Sequence, residues 1–240
     1  MRLFLLLGVA AVLAACAGAM ASPSAAVVSQ IPPRPVVGAG TINVPRLKVR
    51  AAPRATARVI ATLSEFRPQD YRARYVLALG AKRGVTGGEI AWYRISVPGR
   101  PNGRVGWVRA LDVSIRRLPW QVVVLRESKL IQVWKGSELV YQSKVAVGAP
   151  GTETPTGLFY VTVRFRPVKQ AFLGAFAFET SAYSKLSEWP GGGVVGLHGT
   201  RQPWLLGRAV SHGCVRLSNE TASFLRDRLP LGTPIRIVRA

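Results

Sequence analysis

Residues 211–219 read SHGCVRLSN, and residues 196–200 read GLHGT. Between them these two stretches hold both histidines of the 240-residue chain, His198 and His212, and one of its two cysteines, Cys214. A free thiol has a pKa of about 8.5 and is mostly protonated at neutral pH. An imidazole that takes the proton turns the sulfur into a competent nucleophile. Both stretches end short strand-like runs, so His198 is expected to reach Cys214 across adjacent strands. Gly213, just before the sulfur, would let nearby amides converge on a developing oxyanion. Gly199 would let a bare carbonyl fix the tautomer of His198. Two other readings stand beside this one. Free cysteine is among the most buried residue types, so Cys214 could simply fill core. His198, His212 and Cys214 could also supply three ligands to a zinc ion, although the spacing lacks a paired-ligand motif.

Working outward, residues 119–165 carry runs of alternating apolar and polar residues: QVVVLRES, KLIQVWKG, ELVYQSKVAVG and GLFYVTVRF. KGSE and APGTETPTG separate them as turns, a pattern that predicts strands. Residues 166–193 are aromatic (Phe172, Phe176, Phe178, Tyr183, Trp189) and then glycine-rich. They read as an irregular segment that either flaps over a cleft or fills core. From Asn219 to Leu229 the chain predicts the one clear helix, capped by Asn219 or Ser218 and stopped by Pro230. TPIRIVR closes the chain as a strand.

Taken together, His198-Gly199, then Ser211-His212-Gly213-Cys214-Val215-Arg216, and the upstream VAVGAPGTETPTGLFYV (145–161) resemble the L,D-transpeptidase (YkuD-like) catalytic domain. The resemblance covers residues 119–240 and implies a β-sandwich. It implies that Cys214 is the acylated nucleophile and His198 its base, oriented by the Gly199 carbonyl. Amides around Gly213 and Cys214 would form the oxyanion hole, and His212 would shape the site. Arg216, Ser211 and Tyr183 would contact substrate. The implied substrates are peptidoglycan stem peptides, cross-linked through a cysteine acyl-enzyme. Within the same fold, water as acceptor would give a carboxypeptidase or endopeptidase, and a non-catalytic wall-binding protein is the reading from another class. No metal or organic cofactor is implied.

Toward the N-terminus, residues 41–117 break into short strands: RLKVRAAP, ARVIATL, YVLALGAK, AWYRISV and GRVGWVRALDV. Turns at close intervals predict a small all-β barrel or sandwich. Its VR-x-x-P entry, tryptophan strand and closing G-W-V resemble a bacterial SH3-like domain, which would bind wall peptides or act as a spacer. The fold class expected for the whole chain is therefore mainly β, an SH3-like barrel followed by a transpeptidase-type sandwich. Residues 22–40, rich in Pro, Ser and Ala, read as a tether. Residues 1–21 have the layout of a signal peptide, and Leu13-Ala14-Ala15-Cys16 resembles a lipobox whose cysteine is lipidated. An exported, envelope-located protein touching the membrane through its N-terminus alone is expected.

The net charge is +22, from 33 Lys and Arg against 11 Asp and Glu. It is spread along the chain, with 16 basic and 4 acidic residues over 45–118 and 15 and 7 over 119–240. Such a spread favours a polyanionic partner. After export that partner is an anionic cell-envelope surface rather than nucleic acid. A chain-wide arginine bias would produce the same charge.

Overall fold

The turn-separated β runs of the N-terminal half pair into one antiparallel sheet in the computed structural model, which describes residues 30–85, 87–168, 171–188 and 191–240. Its strands are β1 (Gly38–Ile42), β2 (Arg46–Arg50), β3 (Val59–Ser64), β4 (Tyr75–Arg83), β5 (Ile90–Ser96), β6 (Val105–Arg109) and β7 (Val113–Arg116). Their spatial order is β3-β2-β6-β5-β4-β1-β7. Alternation in RLKVR turns Leu47 and Val49 inward against Val76, Ile95 and Val108, while the intervening basic residues face outward. The first strand begins at Gly38, so the last residues of the Pro-rich stretch take part in the sheet.

The second half builds an eight-stranded sheet. Its chain continues through β8 (Trp120–Leu125), β9 (Leu130–Lys135), β10 (Glu138–Lys144), β11 (Val147–Gly148), β12 (Gly157–Phe165), β13 (Ala177–Tyr183), β14 (Val194–His198), β15 (Ala209–Ser211), β16 (Val215–Arg216) and β17 (Pro234–Val238). The order in the sheet is β10-β9-β8-β17-β12-β13-β14-β16, and β11 pairs separately with β15. The unbroken apolar run of β8 has a physical reason. Val122 and Val124 face the main core with Phe159, Val161 and Leu225, while Val123 and Leu125 pack on the other face with Trp134. A strand buried on both sides needs no polar alternation.

Helix α1 (Asn219–Arg226) is the only α-helix among the described residues. Ser218 caps it, its hydroxyl accepting the Thr221 N–H at 3.0 Å. The helix stops three residues earlier than Pro230 suggested, and Asp227 is its C-cap. Residues 166–193 are also more regular than expected. Ala177–Tyr183 forms a central strand, and Phe176 and Phe178 fill core. Phe172 alone of the described aromatics there is largely exposed, at 66%. Trp189, the leader and Cys16 lie outside the described residues.

Residues 31–240 form one compact unit. The two sheets share a small apolar seam of Ala39, Leu77 and fully buried Tyr160, flanked by Val36, Tyr75 and Leu118. At that seam the Tyr160 hydroxyl donates to the Tyr75 carbonyl at 3.1 Å.

Candidate active site

Strands β14 and β16 run parallel, with Leu197 opposite Val215 and His198 opposite Arg216. One step back along both strands, Gly196 lies opposite Cys214, and the Gly196 N–H donates to the Cys214 Sγ at 3.3 Å. A Cβ built on Gly196 would sit 3.9 Å from both the Cys214 Sγ and the His198 Cδ2. The sulfur and the Cδ2–Nε2 edge of the imidazole thus flank one point, over a residue that has no side chain. The structure brings His198 and Cys214 to one point.

His198 is buried, and its Nδ1 lies 2.7 Å from the Gly199 carbonyl oxygen. A carbonyl can only accept, so Nδ1 carries the proton and Nε2 keeps the lone pair of a base. Burial pushes the imidazole pKa down to about 4, an effect that the Gly199 carbonyl partly opposes and Arg216 reinforces. Burial pushes the Cys214 thiol up, against the smaller effects of the Gly196 N–H and Arg216. Both groups therefore rest uncharged at neutral pH, a thiol beside a neutral imidazole. Burial disfavours the charged form of each group, which weighs against a resting thiolate–imidazolium pair.

The loop before Cys214 is tightly braced. Ser211 is buried, donating its hydroxyl to the Cys214 carbonyl at 2.5 Å and accepting the Gly213 N–H at 3.2 Å. Gly213 has φ of 120°, and a Cβ there would come within 2.8 Å of the Ser184 side chain. Both the backbone and the packing therefore demand glycine. Thr154, fully buried, donates to the Gly213 carbonyl at 2.9 Å and accepts the Gly148 N–H at 2.9 Å. Thr152 donates to the Ser211 carbonyl at 3.0 Å. The turn at 149–156 is thus the scaffold of the cysteine loop.

A cavity of about 600 Å³ opens over this point, with His198, Cys214, Ser211, His212, Arg216 and Glu179 among its walls. His212 is exposed on its rim. Arg216 reaches the cavity and lies 3.4 Å from the Gln202 Oε1. Tyr183 is not on this cavity. Its ring lies under Arg100, 4.9 Å from the guanidinium carbon, and its backbone is held by Asn102 of the loop between β5 and β6. It lines an adjoining cavity together with Glu179, Gly191 and Val194. Among the described residues no three His, Cys, Asp or Glu side chains are grouped as metal ligands. His198, His212 and Cys214 therefore do not converge in the zinc arrangement.

Sequence reasoning missed Gly196, Thr152, Thr154 and Glu179 as site residues. Gly196 had a signal, a second glycine two residues before the histidine, where alternation puts both on one face. The braces of the cysteine loop had none, since their partners are backbone groups about 60 residues away.

Comparison with known proteins points to one family over the second half of the chain. The model of the L,D-transpeptidase catalytic domain, YkuD, matches residues 119–237. Over those residues, just under half of the chain, the sequence is similar to that family. The protein named "Putative L,D-transpeptidase YkuD" of Bacillus licheniformis is 28% identical over 169 residues, covering 70% of this chain and 88% of that protein. "Probable L,D-transpeptidase YbiS" of Escherichia coli is 43% identical over 47 residues, 20% of this chain and 15% of that protein. A solved L,D-transpeptidase from Mycobacterium smegmatis is 14% identical with a TM-score of 0.43, covering 68% of this chain and 90% of that one. The match spans the eight-stranded sheet and stops short of the N-terminal sheet.

Proposed function

We propose that the protein is a peptidoglycan L,D-transpeptidase working through an acyl-enzyme on Cys214. The observation that carries this reading is the flanking of one bare glycine by the Cys214 sulfur and the His198 ring, with Nδ1 fixed by the Gly199 carbonyl. As Sγ attacks the carbonyl between the third stem residue and the terminal D-Ala, its proton passes to the His198 Nε2. The tetrahedral oxyanion collapses, the C–N bond breaks, and the imidazolium returns the proton to the departing D-Ala amine. A thioester remains. The amine of a second stem then attacks it, His198 takes the amine proton, and Cys214 leaves and is reprotonated.

The Gly213 N–H is committed to Ser211, so the amide of Cys214 itself is the donor best placed for the oxyanion. One such donor lowers the barrier by about 3–4 kcal/mol. Arg216, on the cavity wall beside His198, holds the stem carboxylate, and His212 shapes the rim. Ser211 acts as a brace of the loop rather than as a substrate contact.

The rest of the chain fits an envelope enzyme. We read residues 1–21 as an export signal with Cys16 as its lipidation site, and residues 41–117 as an SH3-like module facing the wall. The +22 charge suits an anionic envelope surface. Incubation with tetrapeptide stems and an amine-bearing acceptor stem, followed by mass spectrometry, tests the reaction. A cross-linked dimer with release of D-Ala is expected. Release of D-Ala without dimer would make the protein a hydrolase, and no turnover by a folded protein would end the enzyme reading.

A further inference from the structure

Three strands of the catalytic sheet meet in register beneath the cavity. On one side of β14, Ala177 pairs with His198 and Glu179 with Gly196. On the other side, His198 pairs with Arg216, and Gly196 meets Cys214 through the 3.3 Å contact of its N–H with the sulfur. Residues directly opposite in neighbouring strands project to the same face. Glu179, Gly196 and Cys214 therefore form one row across the cavity floor, with a carboxylate at one end and a thiol at the other. Gly196 between them has no side chain. Two strand spacings separate the ends, about 10 Å between Cα atoms, which is room for one substrate chain between the two groups.

Glu179 is also unusual in its charge. It is the one acidic side chain among the described residues lining this cavity, whose other charged walls are Arg201 and Arg216. The remainder of the molecule is strongly basic and repels cations. Among the described residues, one ion pair holds its position. Arg67, in the loop after β3 of the N-terminal sheet, donates from Nη2 to the Glu179 Oε2 at 3.0 Å. Arg67 also lies 3.2 Å from Asp70, and its side chain is 14% exposed while that of Glu179 is 38% exposed. A carboxylate has about four acceptor positions, so this ion pair orients Glu179 and leaves capacity for another donor.

Resting on the acyl-transfer reading above, we propose that Glu179 is the recognition residue for the acceptor, binding the ammonium group of the incoming stem across the thioester on Cys214. Arg67 is its positioning residue, through which the N-terminal sheet completes the acceptor site. The carboxylate concentrates the cationic acceptor in a basic cavity and holds it opposite the sulfur, where the ammonium gives one proton to solvent before the free amine attacks and passes its second to His198. Water and uncharged amines gain nothing from it. The residue thereby biases the acyl-enzyme toward transfer and away from hydrolysis.

The test separates the two half-reactions in the full-length protein. Acyl-enzyme formation from a tetrapeptide stem is followed by intact mass, and transfer is then measured to a cationic acceptor stem and to hydroxylamine, which is uncharged at neutral pH. In Glu179→Gln the KM for the cationic acceptor should rise about tenfold with little change in kcat. Acylation and transfer to hydroxylamine should stay within about twofold of the parent. Arg67→Met should move the same KM in the same direction by less. Added salt should raise the acceptor KM of the parent but not of Glu179→Gln, because the carboxylate is partly exposed. An unchanged acceptor KM in Glu179→Gln would overturn the proposal. So would equal losses in acylation, hydroxylamine transfer and cationic transfer, which would mark a merely structural residue. If the parent protein forms no adduct on Cys214, the acyl-transfer reading itself fails and takes this proposal with it.

Discussion

At the scale of single residues, the Cys214–His198 pair proposed as catalytic is set by burial toward neutrality at rest. Burial disfavours the charged form of both the half-buried thiol and the buried imidazole, which favours keeping the proton on sulfur. A thiol whose pKa is raised reacts slowly with a soluble alkylating agent at neutral pH and gains reactivity as pH climbs past its ordinary range. Iodoacetamide should therefore modify Cys214 more slowly at pH 7 than it modifies a free thiol with a pKa of about 8.5. Its rate should keep rising further into the alkaline range. The thiolate–imidazolium pair that sequence alone suggested predicts the opposite, fast alkylation on a plateau through neutral pH. Peptide mapping of Cys214 across a pH series separates the two. The identity of the pair was legible from composition, because only two histidines and two cysteines exist in the chain. Their charge state was not legible, since it depends on burial that only the fold creates.

At the scale of elements, the site is a junction of two strands and one turn. Parallel β14 and β16 set the spacing of His198 and Cys214, and the turn at 149–156 fixes the loop that delivers the sulfur. Thr154 ties that turn to the loop through two buried backbone partners, Gly148 and Gly213. Thr154→Val keeps the shape but leaves an N–H and a C=O unpaired in the interior. A loss of about 2 kcal/mol in denaturant titrations is expected, together with a lower kcat. Thr154→Ser should restore most of both. If Val were tolerated on both measures, the brace would have no role. The strands themselves were readable from alternation in the sequence. β13 was not, because the aromatic density of FLGAFAFETSAY hides its period behind residues that pack on both faces. The register of that strand, which the sequence did not show, puts Tyr183 off the walls of this cavity.

At the scale of the whole molecule, the N-terminal sheet is joined to the catalytic one by more than a linker. Tyr160 is buried at the seam, Arg67 reaches Glu179, and Asn102 holds the backbone of Tyr183. The sequence announced two β regions but gave no sign of these contacts, which join residues 81 to 112 positions apart. They make the region a partner of the active site, whatever it binds at its own surface. The central claim is still that Cys214 carries the acyl group. Its most direct test is the intact mass of the protein after incubation with a tetrapeptide stem and no acceptor, followed by peptide mapping. The account predicts an adduct equal to the stem less its terminal D-Ala, located on Cys214 and absent from Cys214→Ser and from His198→Gln. An adduct on another residue, or turnover that survives in Cys214→Ser, would contradict it.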